Sequence, residues 1–245
     1  MNNKIFLIIG LPRSGTTYLG KLLSKFNHIE YFDEPNYVWK NGNAYKKDDF
    51  LGEEHINKKN YLFITKFFSS KKIIVEKTPA NILRLNFIRT VFPKAKYIFL
   101  DRNENDTIKS ITKKWLNEDD NNSFKIYNQK NHKVRQFFLL IKKFYRIPFI
   151  EKPAYWKDIL REFNFFILKK KRNYWGPKIK NWEKLSKNMN TDELIKLQYR
   201  SLNKYKNEFK NSLKPNEYIE VCYENLVKNT EFEIDKINKF IFFKD

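Results

Sequence analysis

Cysteine is almost absent. Cys222 is the only one in 245 residues, which excludes an internal disulfide framework and suits a reducing compartment. Long apolar runs are missing too: nothing approaches the roughly 20 apolar residues of a membrane helix. Ile5 to Ile9 follows Met1-Asn2-Asn3-Lys4 but runs straight into a charged glycine loop, with no small-residue cleavage site. It reads as a first core strand and not as a signal peptide. The expectation is a cytoplasmic protein that starts at residue 1. His28, His55 and His132 lack metal-ligand spacing, so no metal is expected. No internal repeat is visible.

What is abundant is positive charge. Lys and Arg number 49 against 28 Asp and Glu, a net charge of +21. Two readings stand side by side. One is an anionic partner, such as a nucleotide, nucleic acid, acidic glycan or membrane surface. The other is compositional bias, since Lys, Asn, Ile and Phe are abundant together. Aromatics reach 17%. The length fits a single domain over residues 1–245, long enough to bury a full core.

The most informative segment is Gly10-Leu11-Pro12-Arg13-Ser14-Gly15-Thr16-Thr17. A buried strand enters a glycine turn that opens a helix. Backbone N–H groups and a helix N-terminus then converge on one spot, an anion cradle. A Walker A loop reads G-x-x-x-x-G-K-[ST], and its lysine serves the β/γ-phosphates. The glycines fit here, but Thr16 replaces the lysine and the cation is Arg13. The loop therefore suits a nucleotide with a different terminal group.

Further elements follow from apolar runs and caps. Leu19, Leu22 and Leu23 mark a helix over Thr16 to Phe26. Strands are predicted at Ile29 to Phe32, Lys72 to Glu76, Tyr97 to Leu100 and Tyr218 to Cys222. Thr78 and Pro79 predict an N-cap and first residue for a helix reaching about Phe92. Asn105 or Asp106 caps a helix to about Trp115; Asn190 and Glu193 form a capping box for a helix to Lys210; Thr230 and Glu233 form another for the last helix. Strands alternating with helices predict an α/β fold, a P-loop-like parallel sheet of about five strands flanked by helices. Ligands of such sheets bind at the strand C-termini. Arg13, Glu76-Lys77 and Asp101-Arg102 all fall there. Residues from about 116 to 190 break the pattern and read as a helical, basic and aromatic insertion over that edge.

With these residues in hand, the chain resembles the sulfotransferases that use 3′-phosphoadenosine 5′-phosphosulfate (PAPS). Pro12-Arg13-Ser14-Gly15-Thr16-Thr17 is similar to that family's 5′-phosphosulfate loop. Arg102, followed by Ser110, resembles its 3′-phosphate motif, an Arg at a strand end and a Ser on the next helix. Tyr223-Glu224-Asn225-Leu226 matches its Tyr-Glu-Asp-Leu segment, whose tyrosine lies near the nucleotide. The resemblance spans residues 4–115 and about 195–243 and favours the bacterial and tyrosylprotein branch. Cytosolic small-molecule enzymes of the family place a histidine base just after the Lys-Thr matched by Lys77-Thr78; here Pro79 stands in its place. The family also carries a basic loop near the C-terminus that closes over the nucleotide. The basic stretch Lys169 to Arg172 is the candidate substitute. Tyr174-Trp175-Gly176-Pro177 resembles a segment of bacterial relatives, without an assigned role.

Each candidate also has a physical role of its own. Arg13 can hold two anion oxygens bidentately. Lys77 can neutralise charge on the transferring group or bridging oxygen; otherwise it is an ordinary strand-end lysine. Arg102 and Ser110 offer a cation and a hydroxyl to a second phosphate; otherwise Arg102 pairs with Asp101 or Glu104. Glu34, in the turn Phe32-Asp33-Glu34-Pro35, is the candidate general base. Its spacing from Arg13 resembles that of the tyrosylprotein branch. A carboxylate gains basicity by losing water, which Tyr31, Phe32, Tyr37 and Trp39 could provide. Asp33 and Glu76 are its rivals, with Glu76 expected to pair with Lys77 or Arg13.

The resulting expectation is transfer of a sulfuryl group from PAPS to a hydroxyl or amine of an acceptor, leaving PAP; the basic, aromatic insertion suggests a carbohydrate or acidic glycan, with a peptide tyrosine or a small metabolite as alternatives. No specific nucleic-acid partner is expected. Two rivals remain: a P-loop kinase, which would need Mg²⁺, and a basic nucleic-acid binder, which would show salt-steep binding to any duplex.

Overall fold

A computed structural model describes residues 4–116, 141, 144–156, 159–160 and 174–242. Five strands form one fully parallel sheet: β1 (Ile5–Ile9), β2 (Ile29–Asp33), β3 (Ile73–Lys77), β4 (Lys96–Asp101) and β5 (Tyr218–Cys222). Their order is β2-β3-β1-β4-β5. β1 pairs with β3 through Leu7 opposite Glu76, and with β4 through Leu7 opposite Tyr97.

β1 is buried along its whole length because alternate side chains enter two different cores. Ile5, Leu7 and Ile9 join Trp39, Phe68, Phe87 and Leu202 on one face. Phe6 and Ile8 join Leu19, Leu23, Leu226 and Ile237 on the other. The second face is covered by α1 (Thr16–Leu23), and later by helices after β5. The first carries α2 (Asn36–Trp39), α3 (Lys58–Phe67) and α4 (Leu85–Val91). After β4 come α5 (Glu104–Leu116), α6 (Trp182–Asn188) and α7 (Thr191–Asn211); β5 leads into α8 (Tyr223–Lys228) and α9 (Thr230–Phe242). α7 begins with the expected capping box: Asn190 Oδ1 accepts from Glu193 N at 2.9 Å.

Several local expectations change. α1 ends at Leu23, not Phe26. Residues after Thr78 form a 3-10 turn, Pro79–Arg84, before α4 starts. Thr78 and Pro79 do take its N-cap and first positions, but the Thr78 hydroxyl makes no capping bond and donates to Glu76 Oε1 at 2.5 Å. α5 is capped by Asn103, whose Oδ1 accepts from Asp106 N at 3.2 Å, and not by Asn105 or Asp106. Thr230 turns its hydroxyl back to the Leu226 carbonyl, 2.8 Å away, so the last helix lacks the expected box. Most of the expected insertion, with Lys169 to Arg172 and His132, lies outside the described residues.

Candidate active site

The C-terminal ends of all five strands lead directly into the residues singled out by sequence. β1 enters the glycine loop, β2 reaches Glu34, β3 ends on Lys77, β4 precedes Arg102 and β5 precedes Tyr223. The chain reverses its strand order on either side of β1. That switch point opens a crevice for a ligand.

The loop is shaped by its two glycines. A Cβ on Gly10 would lie 2.6 Å from Ser14 Oγ and 2.8 Å from the Leu100 carbonyl. Gly15 has φ 94°, and a Cβ there would lie 2.3 Å from the Tyr223 ring. Pro12, Ser14 and Thr16 are buried, whereas Arg13 and Thr17 are exposed. The Gly15 carbonyl accepts the first helical bond of α1 from Leu19 N at 3.1 Å, and within the turn Ser14 N donates to the Leu11 carbonyl at 3.1 Å.

Around this loop the structure gathers Arg13, Ser110, Arg102 and Tyr223. Arg13 Nε donates to Ser110 Oγ at 3.1 Å. Arg102 Nη1 donates to the Arg13 carbonyl at 2.9 Å. The Arg102 guanidinium also lies over the Tyr223 ring, 4.6 Å from its centroid, a favourable cation–π geometry. Arg102 pairs with neither Asp101 nor Glu104; Asp101 instead meets Lys206. Glu224 ties the β4 and β5 ends together by accepting from Asn103 N at 3.0 Å. The Cys222 thiol, donating to Glu224 at 3.0 Å, is the first reason its carboxyl is held below the ordinary glutamate range. Sequence alone did not assign Glu224 that role.

Among the described residues, Ser14 Oγ and Arg102 Nε are buried beside the loop without a hydrogen-bond partner. Both residues line one small gap of about 10 Å³ between the loop and the end of β4. Buried donors without partners cost free energy. An anion seated against the loop would supply acceptors, so these residues fit a bound phosphate or sulfate group.

The other half of the site is carboxylate and ammonium. Lys77 is buried at its Nζ, which lies 2.6 Å from Glu34 Oε1 and 2.7 Å from Asp33 Oδ1. Burial opposes the charge on Lys77, but Glu34 and then Asp33 outweigh it and hold its pKa above that of an ordinary lysine. Glu34 N extends the β2–β3 ladder by donating to the Lys77 carbonyl at 2.8 Å. Glu34 has φ 55° and Arg13 φ 69°. Non-glycine residues in this region are strained, and such strain concentrates at functional sites.

The expected apolar shielding of Glu34 is not found. Its side chain is 42% exposed. Tyr31 donates to Asp33 at 3.2 Å, and Trp39 donates to Glu76 at 3.0 Å. The desolvated carboxylate is Glu76, fully buried at the end of β3. Its partners are Trp39 Nε1, Thr78 Oγ1 and Asn81 Nδ2, the last at 2.7 Å, in place of the expected ion pair with Lys77 or Arg13. Burial raises its pKa to about 7 despite these hydrogen bonds and the nearby charges of Lys77 and Arg84.

Beside Glu34 and Pro12 opens a cavity of about 350 Å³. The unassigned segment within the expected insertion forms part of its wall: Trp175, Gly176 and Pro177 line it. Among the described residues, no three His, Cys, Asp or Glu side chains gather as a metal site requires. No described helix is long and apolar enough to cross a membrane.

Comparison with known proteins bears on the fold and the family. No curated protein matches the chain in sequence. Among solved structures, the chain is similar to the sulfotransferase domain from the curacin biosynthetic pathway, with a TM-score of 0.54 and 14% identity, covering 99% of this chain and 75% of that one. It is also similar to a sulfotransferase from Alicyclobacillus acidocaldarius, with a TM-score of 0.53 and 13% identity, covering 100% of this chain and 83% of that one. These likenesses are of fold. The sequence profile of the Sulfotransferase family matches residues 5–147, more than half of the chain, from the first strand through the glycine loop and α5, and the chain belongs to that family.

Proposed function

We propose that this sulfotransferase takes PAPS as donor and transfers its sulfuryl group to an acceptor hydroxyl, with an amine as the lesser alternative. The observation that carries this reading is the pairing of a lysine-free glycine loop with the Arg13–Ser110 and Arg102–Tyr223 contacts. A nucleoside triphosphate loop would place a lysine at Thr16. The loop amides and Arg13 suit the 5′-phosphosulfate. Arg102 and Ser110 suit the 3′-phosphate, and Tyr223 suits the nucleoside beside it.

In this reading the acceptor oxygen attacks sulfur as Glu34 takes its proton. An O–S bond forms to the acceptor, and the bond from sulfur to the phosphate oxygen breaks, leaving PAP. Lys77 and Arg13 stabilise charge on the sulfuryl oxygens and on the departing phosphate. Positioning and electrostatics carry most of such a transfer, and no metal is assigned a part. Pro12, Ser14, Gly15, Thr16 and Thr17 complete the donor site in this assignment.

Thermal denaturation with PAP, and separately with ATP and Mg²⁺, tests the reading. PAP at a hundred times its Kd stabilises by about 2.7 kcal/mol, without Mg²⁺. Stabilisation by ATP with Mg²⁺ and none by PAP would favour a kinase and overturn it.

A further inference from the structure

We infer that the cavity beside Glu34 is the acceptor site and that it selects an uncharged hydroxyl compound with a flat, apolar ring body; this rests on the sulfotransfer reading above. Its position is the first argument. Pro12 from the glycine loop, Glu34 and Thr78 all line it, so a hydroxyl inside it reaches the transfer site. Its size, about 350 Å³, is that of a small-molecule pocket.

Its chemistry is the second argument. Tyr37, Phe144, Tyr155 and Trp175 contribute aromatic rings, with Ile147 beside them. Such walls favour the face or edge of another ring. The chain carries a net charge of +21, yet no lysine or arginine among the described residues lines this cavity. An acidic glycan would find no cation among the described lining residues. The charged residues among the described lining are Glu34 and Asp49. Asp49 is already neutralised from within: Lys40 Nζ lies 3.5 Å away, Arg84 Nη2 3.7 Å, and Lys178 N donates to it at 2.8 Å. These partners outweigh burial and keep its carboxyl below the usual carboxylate range.

The third argument is that the wall is built. Gly176 has φ 89°, and an added Cβ would lie 3.1 Å from Gln198 Nε2. Gln198, fully buried on α7, sets its Nε2 3.0 Å from Tyr174 Oη and 2.9 Å from both the Trp175 and Pro177 carbonyls. Tyr174 Oη donates to the Pro177 carbonyl at 2.9 Å. The turn that presents Trp175 to the cavity is therefore fixed before any acceptor arrives. Gln198 is its positioning residue.

Calorimetry on the full chain saturated with PAP tests the inference, using 2-naphthol as the apolar ring probe and a chondroitin oligosaccharide as the acidic glycan. The expected result is naphthol binding and no chondroitin binding. Trp175→Ala, and independently Phe144→Ala, weaken naphthol affinity about tenfold and leave PAP affinity unchanged. Gln198→Leu does the same, and Gln198→Glu, which retains an acceptor but lacks the amide donors, does not rescue it. PAP binding with no naphthol binding, with chondroitin preferred, or with naphthol affinity unmoved in both wall variants overturns the inference and leaves the donor assignment standing. Failure of PAP itself to bind refutes the function reading instead.

Discussion

Lys77 Nζ and Glu34 Oε1 lie 2.6 Å apart, so the candidate cation and the candidate base hold each other. Lys77 drawn toward a sulfuryl oxygen would loosen that pair and let Glu34 Oε1 turn to the acceptor hydroxyl as the donor is bound. Glu34→Gln keeps size and hydrogen bonding but cannot take a proton. It should lower turnover by roughly 10²–10⁴-fold and leave PAP affinity near wild type. Asp33→Asn, on the same ammonium but 49% exposed, should lose less. Full turnover in Glu34→Gln, with loss in Asp33→Asn or Glu76→Gln, would move the base elsewhere.

Arg102→Ala and Ser110→Ala probe the donor side. Arg102 Nε is a buried donor without a partner, and Ser110 holds Arg13. Each variant should weaken PAP binding, Arg102→Ala by about 1.5–3 kcal/mol for a charge-assisted contact. The loss in Ser110→Ala should be smaller, since a neutral hydroxyl is removed. Unchanged affinity by calorimetry in both variants would remove the proposed 3′-phosphate site.

Glu76 predicts a pH dependence of stability. Its folded pKa, about 7, lies above the ordinary glutamate value of 4.5. Between those values the unfolded chain has released this proton and the folded chain still holds it. Stability should therefore fall as pH rises through that window and level off above about 7. Glu76→Gln should flatten the fall. Asn81 Oδ1 is a buried acceptor without a partner, and a flip of that amide turns it toward the new Gln NH₂. Melting temperatures from pH 5 to 8, on the order of that window, would show it. An equal slope in Glu76→Gln would assign the pH effect to another group.

The strands were legible because each central strand is a continuous apolar run with both faces buried. The ends of those runs place Arg13, Glu76-Lys77 and Asp101-Arg102 on one edge, and the structure adds Glu34 and Tyr223 to it. What escaped depends on which side chain reaches which partner. Glu76 reads in sequence as one more strand-end carboxylate; only the fold brings Trp39 and Asn81 to it. The cap of α5 was misread by a few residues because Asn103, Asn105 and Asp106 all suit that role by type. The Trp175 turn gained a role only through Gln198, far along the chain on α7.

Gly15 links loop shape to nucleotide affinity. Gly15→Ala meets two obstacles: φ 94° and a Cβ 2.3 Å from the Tyr223 ring. Displacing that ring would also displace Arg102, which lies 4.6 Å from its centroid. Gly42 separates the two effects. It has φ 73°, but the nearest atoms to its added Cβ are 3.5 Å away, ordinary contact. Both Ala variants should lose about 1–2 kcal/mol from left-handed strain, read as a lower melting temperature. Only Gly15→Ala should also lose PAP affinity, by roughly tenfold or more, the equivalent of one lost contact of about 1.4 kcal/mol. Equal PAP affinity in the two variants would show that the Tyr223–Arg102 stack is structural and takes no part in holding the nucleotide.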